Sequence, residues 1–271
     1  MENIKEVYEF YNNGAEIDRL EKGLGKIEFY RTKEILSQYI NDNSVIYDIG
    51  GGIGKYSQWL AKNNDVTLIE LAPNAVEFAK KTMDTNCLYK AEIGDARKIE
   101  KPDESADIVL LMGPLYHLQK QSERNRVLSE AYRVLKKGGL LFAVGISKFS
   151  STTWALSVYG NGNNFIDDDI YLNMLKKELE TGKHIRPKEY SFFIANAYFH
   201  TIDSLTNEVS SNGFEIINQH AIESCIWISP ALDEKWENEE SRKRLLDIIH
   251  ATEHEKTLMG ISPHFMVVAK K

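Results

Sequence analysis

The sequence contains little cysteine, little proline and no long apolar run. Two of its 271 residues are cysteines and six are prolines. Cys87 and Cys225 form neither a disulfide framework nor a metal-ligand spacing, and both are predicted to be buried apolar residues. No run of about 18 apolar residues is present, and residues 1–6 lack the apolar stretch of a secretory signal. These absences predict a cytoplasmic protein with no membrane span and no bound metal.

Positive charge is also scarce. The chain has 33 Lys and Arg residues against 40 Asp and Glu residues, which gives a net charge of -7, and its pI is near 5.6. Phosphate backbones are bound by clustered basic side chains, so a broad nucleic-acid surface is excluded, although a local basic groove is not. With 42% hydrophobic residues, the chain is long enough to bury a large core as one folding unit with insertions.

An apolar strand followed by a glycine-rich turn organises the chain. Residues 45–49 are mostly β-branched or aromatic, which is typical of a buried strand, and a helix is predicted from about residue 55 to residue 63. Glycines between them allow a sharp backbone turn and the close approach of a ligand, beside the free N–H groups of the helix. The glycines are Gly50, Gly51, Gly52 and Gly54. This arrangement indicates a nucleotide-binding turn.

The spacing of the glycines narrows the kind of nucleotide. A dinucleotide fingerprint needs G-x-G-x-x-G, but its third glycine position is occupied by Lys55 in one frame and by Ser57 in the other. A P-loop is excluded because Tyr56 follows Gly54-Lys55, where serine or threonine is needed. What remains is a D-x-G-x-G-x-G pattern that begins at Asp48.

Two further carboxylates follow predicted strands. Glu70 ends the second strand, immediately before Leu71, and is placed to accept hydrogen bonds from two ribose hydroxyls. Asp95 follows a weaker third strand and could accept a hydrogen bond from the amino group of adenine, while the backbone N–H of Ala96 reaches a ring nitrogen. A capping or turn role is the alternative for Asp95.

The clearest strand covers residues 106–112 and ends at Met112. Because ligands of open α/β sheets lie outside the carboxyl ends of the strands, the turn that follows should line the site of reaction. We expect His117 to titrate near neutrality and to be able to take a proton, and Tyr116 to position an acceptor. A structural histidine packed behind the turn is the alternative.

Strands and helices alternate five times up to residue 146, which predicts a doubly wound, mostly parallel α/β sheet. A helix at residues 202–212, a sixth strand at 214–218 and a last strand at 264–269 follow. Residues 233–250 contain many acidic and many basic side chains and are predicted to form a solvated helix.

In these features, the sequence resembles the class I S-adenosylmethionine (AdoMet)-dependent methyltransferases across nearly its whole length. The D-x-G-x-G-x-G turn corresponds to their motif I, and residues 94–97, 112–118, 198–200 and 260–264 resemble a bacterial group of small-molecule methyltransferases. The resemblance implies a Rossmann-like sheet of seven strands with the last one antiparallel. It also implies AdoMet as cofactor, S-adenosylhomocysteine as product and in-line transfer of the methyl group to a small-molecule acceptor. A monomer or a homodimer is expected.

The resemblance suggests three regions. N-terminal helices at residues 1–42 are expected to cover the cofactor site, and residues 43–147 and 201–271 are expected to form the AdoMet-binding core. Residues 148–200 are expected to form a mostly helical, aromatic lid over the acceptor site. Aromatic residues in such an insertion are more often core than substrate cage, so both interpretations of the lid stay open.

The expected cofactor-binding residues are Asp48, Gly50, Gly51, Gly52, Gly54, Glu70, Leu71, Asp95, Ala96, Met112, Arg31 and Tyr11. Arg31 and Tyr11 are included because a cofactor with an α-carboxylate needs a cation or an aromatic lid near the turn. Candidates for catalysis are His117, Tyr116 and His200, and His264 is a further candidate base. The alternative function is AdoMet binding without methyl transfer, as a sensor or as an enzyme with different chemistry. A nucleotide-dependent oxidoreductase is a weaker third hypothesis.

Overall fold

The structure is a computed structural model, and it describes residues 17–157 and 165–271. Tyr11 and residues 158–164, part of the expected lid, lie outside the described residues. The strands of the described ranges are β1 Val45–Ile49, β2 Asp65–Glu70, β3 Lys90–Ile93, β4 Ala106–Leu111, β5 Leu135–Ile146, β6 Lys183–His184, β7 Ala197–Tyr198, β8 Glu215–Ala221 and β9 His264–Lys270. The α-helices are α1 Leu24–Ser37, α2 Lys55–Leu60, α3 Pro73–Thr82, α4 Pro114–His117, α5 Gln121–Val134, α6 Ser150–Leu156, α7 Asp169–Thr181, α8 Ile202–Ser211, α9 Leu232–Glu237, α10 Glu239–Thr252 and α11 Lys256–Met259.

Seven strands form one sheet in the order β3-β2-β1-β4-β5-β9-β8. Strands β1 to β5 pair in parallel, and β9 is antiparallel to both of its neighbours, β5 and β8. The predicted doubly wound sheet of seven strands with an antiparallel last strand is confirmed. The strand order reverses between β1 and β4, and in open α/β sheets such a point leaves a crevice at the carboxyl ends of the strands.

Apolar side chains fill both faces of the sheet. On β4, Val109 and Leu111 belong to the buried cluster on one face, whereas Leu110 belongs to the cluster on the other. This alternation follows from the strand geometry, in which successive side chains point to opposite faces. Helices α5 and α8 supply Val127 and Leu205 to the first face, so both faces of the sheet are covered and its strands read as nearly continuous apolar runs.

The fifth strand begins earlier than the sequence pattern indicates. The apolar spacing after Gln121 and the two glycines at 138–139 predict a helix that ends at Lys137 and a strand that begins at Leu140. In the structure, helix α5 gives way directly to β5 at Leu135, so Lys136 and Lys137 lie in the strand. Gly138 takes a φ of +80° in this stretch, and only glycine adopts that left-handed angle at little cost. The glycine therefore marks an irregularity at the start of β5, and not the end of the helix.

Residues 148–200 are less helical than predicted. Helices α6 and α7 account for part of the segment, and β6 pairs with β7 as a short antiparallel hairpin. The aromatic side chains pack on one another in a separate buried cluster. Its aromatic members are Trp154, Phe165, Tyr171, Tyr190 and Phe193. These contacts support the core interpretation of the aromatics.

The charged segment near the C terminus is not simply solvated. It forms α9 and α10, and apolar side chains of both helices pack against α1 and against residues 226–227 in a third buried cluster. Trp236 is 6% exposed and Ile249 is fully buried, whereas the adjacent Ile248 is 46% exposed. The prediction of a solvated helix was therefore wrong for one face of each helix, because charged residues on the outer face conceal a narrow apolar stripe.

Two expectations from composition can be compared with the structure. Within the described residues, no helix is long and apolar enough to cross a membrane. Cys87 and Cys225 are both free, but each is partly exposed, so the prediction of full burial was wrong.

The substitution Ile249→Ala should lower the free energy of unfolding by about 2–5 kcal/mol, because it removes buried methyl groups and leaves a cavity. The matched control is Ile248→Ala, one position away in the same helix, which should cost less than about 1 kcal/mol because that side chain is half-exposed. Urea denaturation followed by circular dichroism measures both. Equal losses would show that the two faces of α10 are equivalent and would contradict the packing described above.

Candidate active site

A cleft opens at the carboxyl ends of β1, β2 and β4, where the strand order reverses. Its empty space is about 1190 Å³, a figure that includes the open mouth. Its walls come from the glycine turn, from the residues that follow β2, β3 and β4, and from the start of α1. Among the described residues, no side chain from residues 148–200 lines the cleft. The lid over the acceptor site and the three-region division therefore stay predictions.

Asp48 lies beneath the glycine turn and does not line the cleft. Its carboxyl group is fully buried, and one oxygen accepts a hydrogen bond from the Ser57 hydroxyl at 2.7 Å. A Cβ built on Gly51 would lie 2.4 Å from that carboxylate, so the backbone rests directly on it. Asp48 thus supports the turn from below, and its role as a cofactor contact stays a prediction. Burial raises the pKa of Asp48 to about 6, although the Ser57 hydrogen bond opposes the shift.

Glycine is required at two points of the turn. Gly50 has a φ of +71°, and a Cβ there would lie 2.7 Å from the ring of Pro114. Gly54 has a φ of +78°, and a Cβ there would lie 2.3 Å from the Tyr89 hydroxyl. A side chain at Gly50 would therefore combine a strained backbone angle with a collision. The turn is pressed between the end of β4 and the residues before β3, and its surface toward the cleft is bare backbone.

Glu70 joins the turn to the end of β2. One carboxylate oxygen accepts from the backbone N–H of Gly52 at 3.0 Å, and the other accepts from the N–H of Ala72 at 2.9 Å. The side chain is largely buried but lines the cleft, together with Leu71. A carboxylate oxygen accepts more than one hydrogen bond, so both oxygens keep capacity for the hydroxyls of a ribose.

Asp95 and Ala96 line the neighbouring part of the cleft. Arg97 folds back on Asp95 and donates to both carboxylate oxygens, at 3.0 Å from Nε and at 2.6 Å from the second terminal nitrogen. Partial burial alone would raise the pKa of Asp95, but the hydrogen bonds and charge of Arg97 outweigh it and lower the pKa. The group is therefore an ionised acceptor at neutral pH, as the binding of an exocyclic amino group requires.

The turn after β4 supplies the wall between the two ends of the cleft. Met112, Tyr116 and His117 all line it, and the Tyr116 hydroxyl donates to the carbonyl of Met112 at 2.8 Å. Burial, with the charge of Arg19 nearby, lowers the pKa of His117 to about 3. The expectation that His117 titrates near neutrality was wrong. Its imidazole is neutral at neutral pH and is a weak base.

Two predicted site residues, Arg31 and His200, make their contacts outside the cleft. Arg31 is fully buried and pairs with Glu253 at 2.6 Å, while His200 is fully buried with its Nε2 at 3.4 Å from Glu208. Neither side chain lines the cleft. Both side chains therefore bind buried carboxylates outside the cleft, and the cofactor role of Arg31 and the catalytic role of His200 stay predictions.

An ionic cluster in the cleft wall was only partly anticipated. His264, a candidate base from the sequence, lies beside Glu28 and Glu223, with Nδ1 at 2.7 Å from Glu223. Arg19 pairs with Glu28 at 2.6 Å. Glu28 and Glu223 were missed because one lies in a helix among other charged residues and the other follows β8 in an unremarkable polar stretch. No local spacing in the sequence connects them with His264.

Comparison with known proteins agrees with this geometry. Residues 47–143 match the family described as a methyltransferase domain. Phosphoethanolamine N-methyltransferase 3 of Arabidopsis thaliana is 26% identical over 152 residues, which cover 54% of this chain and 30% of that protein. The chloroplastic 2-methyl-6-phytyl-1,4-hydroquinone methyltransferase 1 of Oryza sativa subsp. japonica is 30% identical over 121 residues, which cover 41% of this chain and 36% of that protein. The chain thus spans about a third of the length of these relatives.

Solved structures share the fold over most of the chain. A SAM-dependent methyltransferase from Methanosarcina mazei superposes with a TM-score of 0.58 at 22% identity, covering 88% of this chain and 96% of that one. Residues 47–143 thus match a methyltransferase domain, and the chain shares its fold with solved AdoMet-dependent methyltransferases. The [4+2]-cyclase SpnF has the same fold, with a TM-score of 0.53 at 17% identity, covering 89% of this chain and 80% of that one.

The residues of the cleft fit AdoMet, the cofactor of this methyltransferase family. A buried carboxylate held at the end of β2 suits a ribose, and the ionised Asp95 suits an adenine amino group. The glycine turn presents backbone without Cβ atoms, which leaves room for close approach. Of the cofactor residues predicted from the sequence, the structure brings together in this cleft Gly50, Gly51, Gly52, Glu70, Leu71, Asp95, Ala96 and Met112.

The buried carboxyl group of Asp48 should make stability fall as pH rises from about 4 to about 6. Its pKa of about 6 in the folded protein lies above the unfolded value of about 3.9, so the folded state binds more protons in this window. The free energy of unfolding of the wild type, relative to that of Asp48→Asn, should therefore drop by about 2–3 kcal/mol across the window.

Urea denaturation of ligand-free protein at several pH values measures this difference. The matched control is Asp65→Asn, at a carboxyl group whose side chain is 62% exposed, and it should show no comparable change with pH. A constant difference between wild type and Asp48→Asn from pH 4 to pH 7 would contradict the burial of an ionisable Asp48.

Proposed function

We propose that the protein is an AdoMet-dependent methyltransferase that transfers a methyl group to a small-molecule acceptor. The observation that supports this most is the continuity of the cleft, which runs from Glu70 and Asp95 past Met112 to His264. Nucleotide-binding features and a second polar region therefore share one space. A two-substrate transfer needs such an arrangement, because it depends on holding both reactants in alignment.

The chain's own residues bind and orient in this proposal. Glu70 accepts hydrogen bonds from the ribose hydroxyls, Asp95 accepts one from the adenine amino group, and the backbone of Gly50 to Gly52 faces the methionine part. When bound, AdoMet supplies an activated methyl group on its sulfonium. Tyr116 and His117, held at the end of β4, line the boundary with the acceptor region, where they position the acceptor and exclude water.

A small acceptor is supported by the cleft and by the relatives. The cleft extends past the residues proposed for the nucleoside to Val144, Ile222 and His264, and two relatives are named for phosphoethanolamine and for a phytyl hydroquinone. His117 is too weak a base to deprotonate a neutral acceptor effectively, since its pKa is about 3. An acceptor that arrives with a reactive lone pair therefore fits the site best.

AdoMet binding without methyl transfer is the second candidate. The [4+2]-cyclase SpnF, a protein named for a different reaction, shares the fold. Calorimetric titration with AdoMet, S-adenosylhomocysteine and NADH tests the cofactor, and release of S-adenosylhomocysteine across a panel of phenols, amines, thiols and carboxylates tests turnover. Stabilisation by NADH alone would refute the methyltransferase proposal. Tight AdoMet binding with no turnover on any acceptor would favour the second candidate.

Glu70→Gln should weaken the binding of S-adenosylhomocysteine by roughly tenfold or more, because an amide leaves one N–H of the turn without an acceptor and lacks the charge. Asp95→Ala should weaken it as well, because it removes the side-chain acceptor for the adenine amino group. The control is Glu100→Gln, whose side chain is 83% exposed, and it should bind as the wild type does. Isothermal titration calorimetry measures all three, and wild-type affinity in both site variants would refute the placement of the cofactor.

A further inference from the structure

The cleft has two halves, and each half is formed by residues from strands at a different end of the strand order. Glu70 and Asp95 follow β2 and β3, at one end of the strand order. Val144 in β5, Ile222 after β8 and His264 at the start of β9 line the other half. In the proposed function the first half is taken by the nucleoside, so the second half is left for the acceptor.

The second half contains one cluster of charged side chains. His264 contacts Glu223 through Nδ1 at 2.7 Å, and the same nitrogen lies 3.9 Å from Glu28. Glu28 is bound in turn by Arg19, whose two terminal nitrogens lie 2.6 and 3.1 Å from its two oxygens. The cluster therefore pairs two cations with two carboxylates, and these are the charged groups that face His264 from α1, from the segment before it and from the loop after β8.

The carboxylates of the cluster are already engaged. Glu223 is fully buried, and its second oxygen accepts from the Ser262 hydroxyl and from the backbone N–H of His264, both at 3.0 Å. Glu28 has an Arg19 nitrogen on each of its oxygens. Each acid is thus paired with a cation of the cluster, so the pairs leave no excess negative charge for a cationic acceptor.

The second ring nitrogen of His264, Nε2, is placed to donate a hydrogen bond to a ligand in the cleft. Its Nδ1 is committed to Glu223, and no described residue accepts a hydrogen bond from its Nε2. The side chain is 18% exposed in the cleft wall. Burial alone would lower the pKa of His264, but the charges of Glu223 and Glu28 outweigh it and raise the pKa to about 9. At neutral pH, Nε2 therefore carries a proton and the ring is positively charged.

We propose that His264 binds a negatively charged oxygen of the methyl acceptor through Nε2, so that the acceptor belongs to the class of small organic anions. This specificity rests on the methyltransferase function proposed above. Glu223 holds the ring in place and balances its charge, while Arg19 balances the charge of Glu28. The apolar side chains of Leu20, Val144 and Ile222 line the cleft around the cluster, so they suit the hydrocarbon body of such an anion. A carboxylate, a phenolate and a phosphate monoester share this chemistry.

The test uses small aromatic probes and protein saturated with S-adenosylhomocysteine. Benzoate, 4-nitrophenolate and phenyl phosphate are the three anionic probes, benzamide is a neutral analogue of benzoate, and benzylammonium is the cationic probe. Wild-type protein should bind at least one anion about tenfold more tightly than benzamide, as expected for one charge-assisted hydrogen bond. The ranking of the three anions identifies which oxygen the site prefers.

His264→Gln should abolish this preference and leave the affinity for S-adenosylhomocysteine unchanged. The matched control is His254→Gln, a histidine that is 50% exposed on the protein surface, and it should keep the wild-type preference. An anion preference that survives in His264→Gln, a preference for benzylammonium, or no preference among the probes would overturn the proposal. Zn²⁺ binding that is lost in His264→Gln would also overturn it, because the ring would then serve a metal through the nitrogen beside Glu28 and Glu223.

Two readouts separate the possible failures. If S-adenosylhomocysteine does not bind to the wild type, the function proposed above fails, whereas intact binding with no anion preference refutes the role of His264 alone. In wild-type protein, the NMR signals of the His264 ring should shift when the preferred anion is added, and this measurement does not depend on the folding of a variant. Ring signals that do not respond to any anion would overturn the proposal.

Discussion

A turn without β-carbons, pressed against its neighbours, is the constraint on which the site depends. Gly50 lies where a side chain would overlap Pro114 after β4, and Gly51 rests on the buried carboxyl group of Asp48. The same turn is tied to β2, because Glu70 accepts from the backbone N–H of Gly52. The ends of three strands are therefore held together at this turn, and the close contacts of Gly50 and Gly51 leave no space for a β-carbon. The shape of the cleft follows from this packing, and not from the residues that face the ligand.

Buried ion pairs attach the outer elements to this centre. Arg31 of α1 reaches Glu253 just after α10, and Arg124 of α5 reaches Glu208 of α8, each at 2.6 Å. Both arginines are almost completely shielded from solvent, where an unpaired charge would be costly. These pairs fix where the helices lie more than they add stability. They also explain why Arg31, which carries a suitable charge for a carboxylate ligand, does not reach the cleft.

Much of the site was predictable because its residues sit at strand ends. Glu70, Asp95 and Met112 each follow a recognisable apolar strand, and parallel strands bring such positions to one edge of the sheet. Charge state was less predictable, since burial lowers the pKa of His117 to about 3 while two carboxylates raise that of His264 to about 9. His117 follows an apolar strand and His264 begins one. Nothing in their local sequence indicates that their pKa values differ.

The sequence by itself determined the strand-turn-helix unit at Asp48 to Lys55, the alternation that makes the doubly wound sheet, and the carboxylates that suit a nucleoside. These features depend on residues close together in the chain, where backbone geometry and apolar periodicity act locally. Only the tertiary structure decided that Glu28, Glu223 and His264 form one cluster, that Asp48 supports the turn from below, and that His200 lies outside the cleft. Each of these depends on contacts between distant segments, and burial and neighbouring charges set the chemistry of a side chain only after the chain has folded.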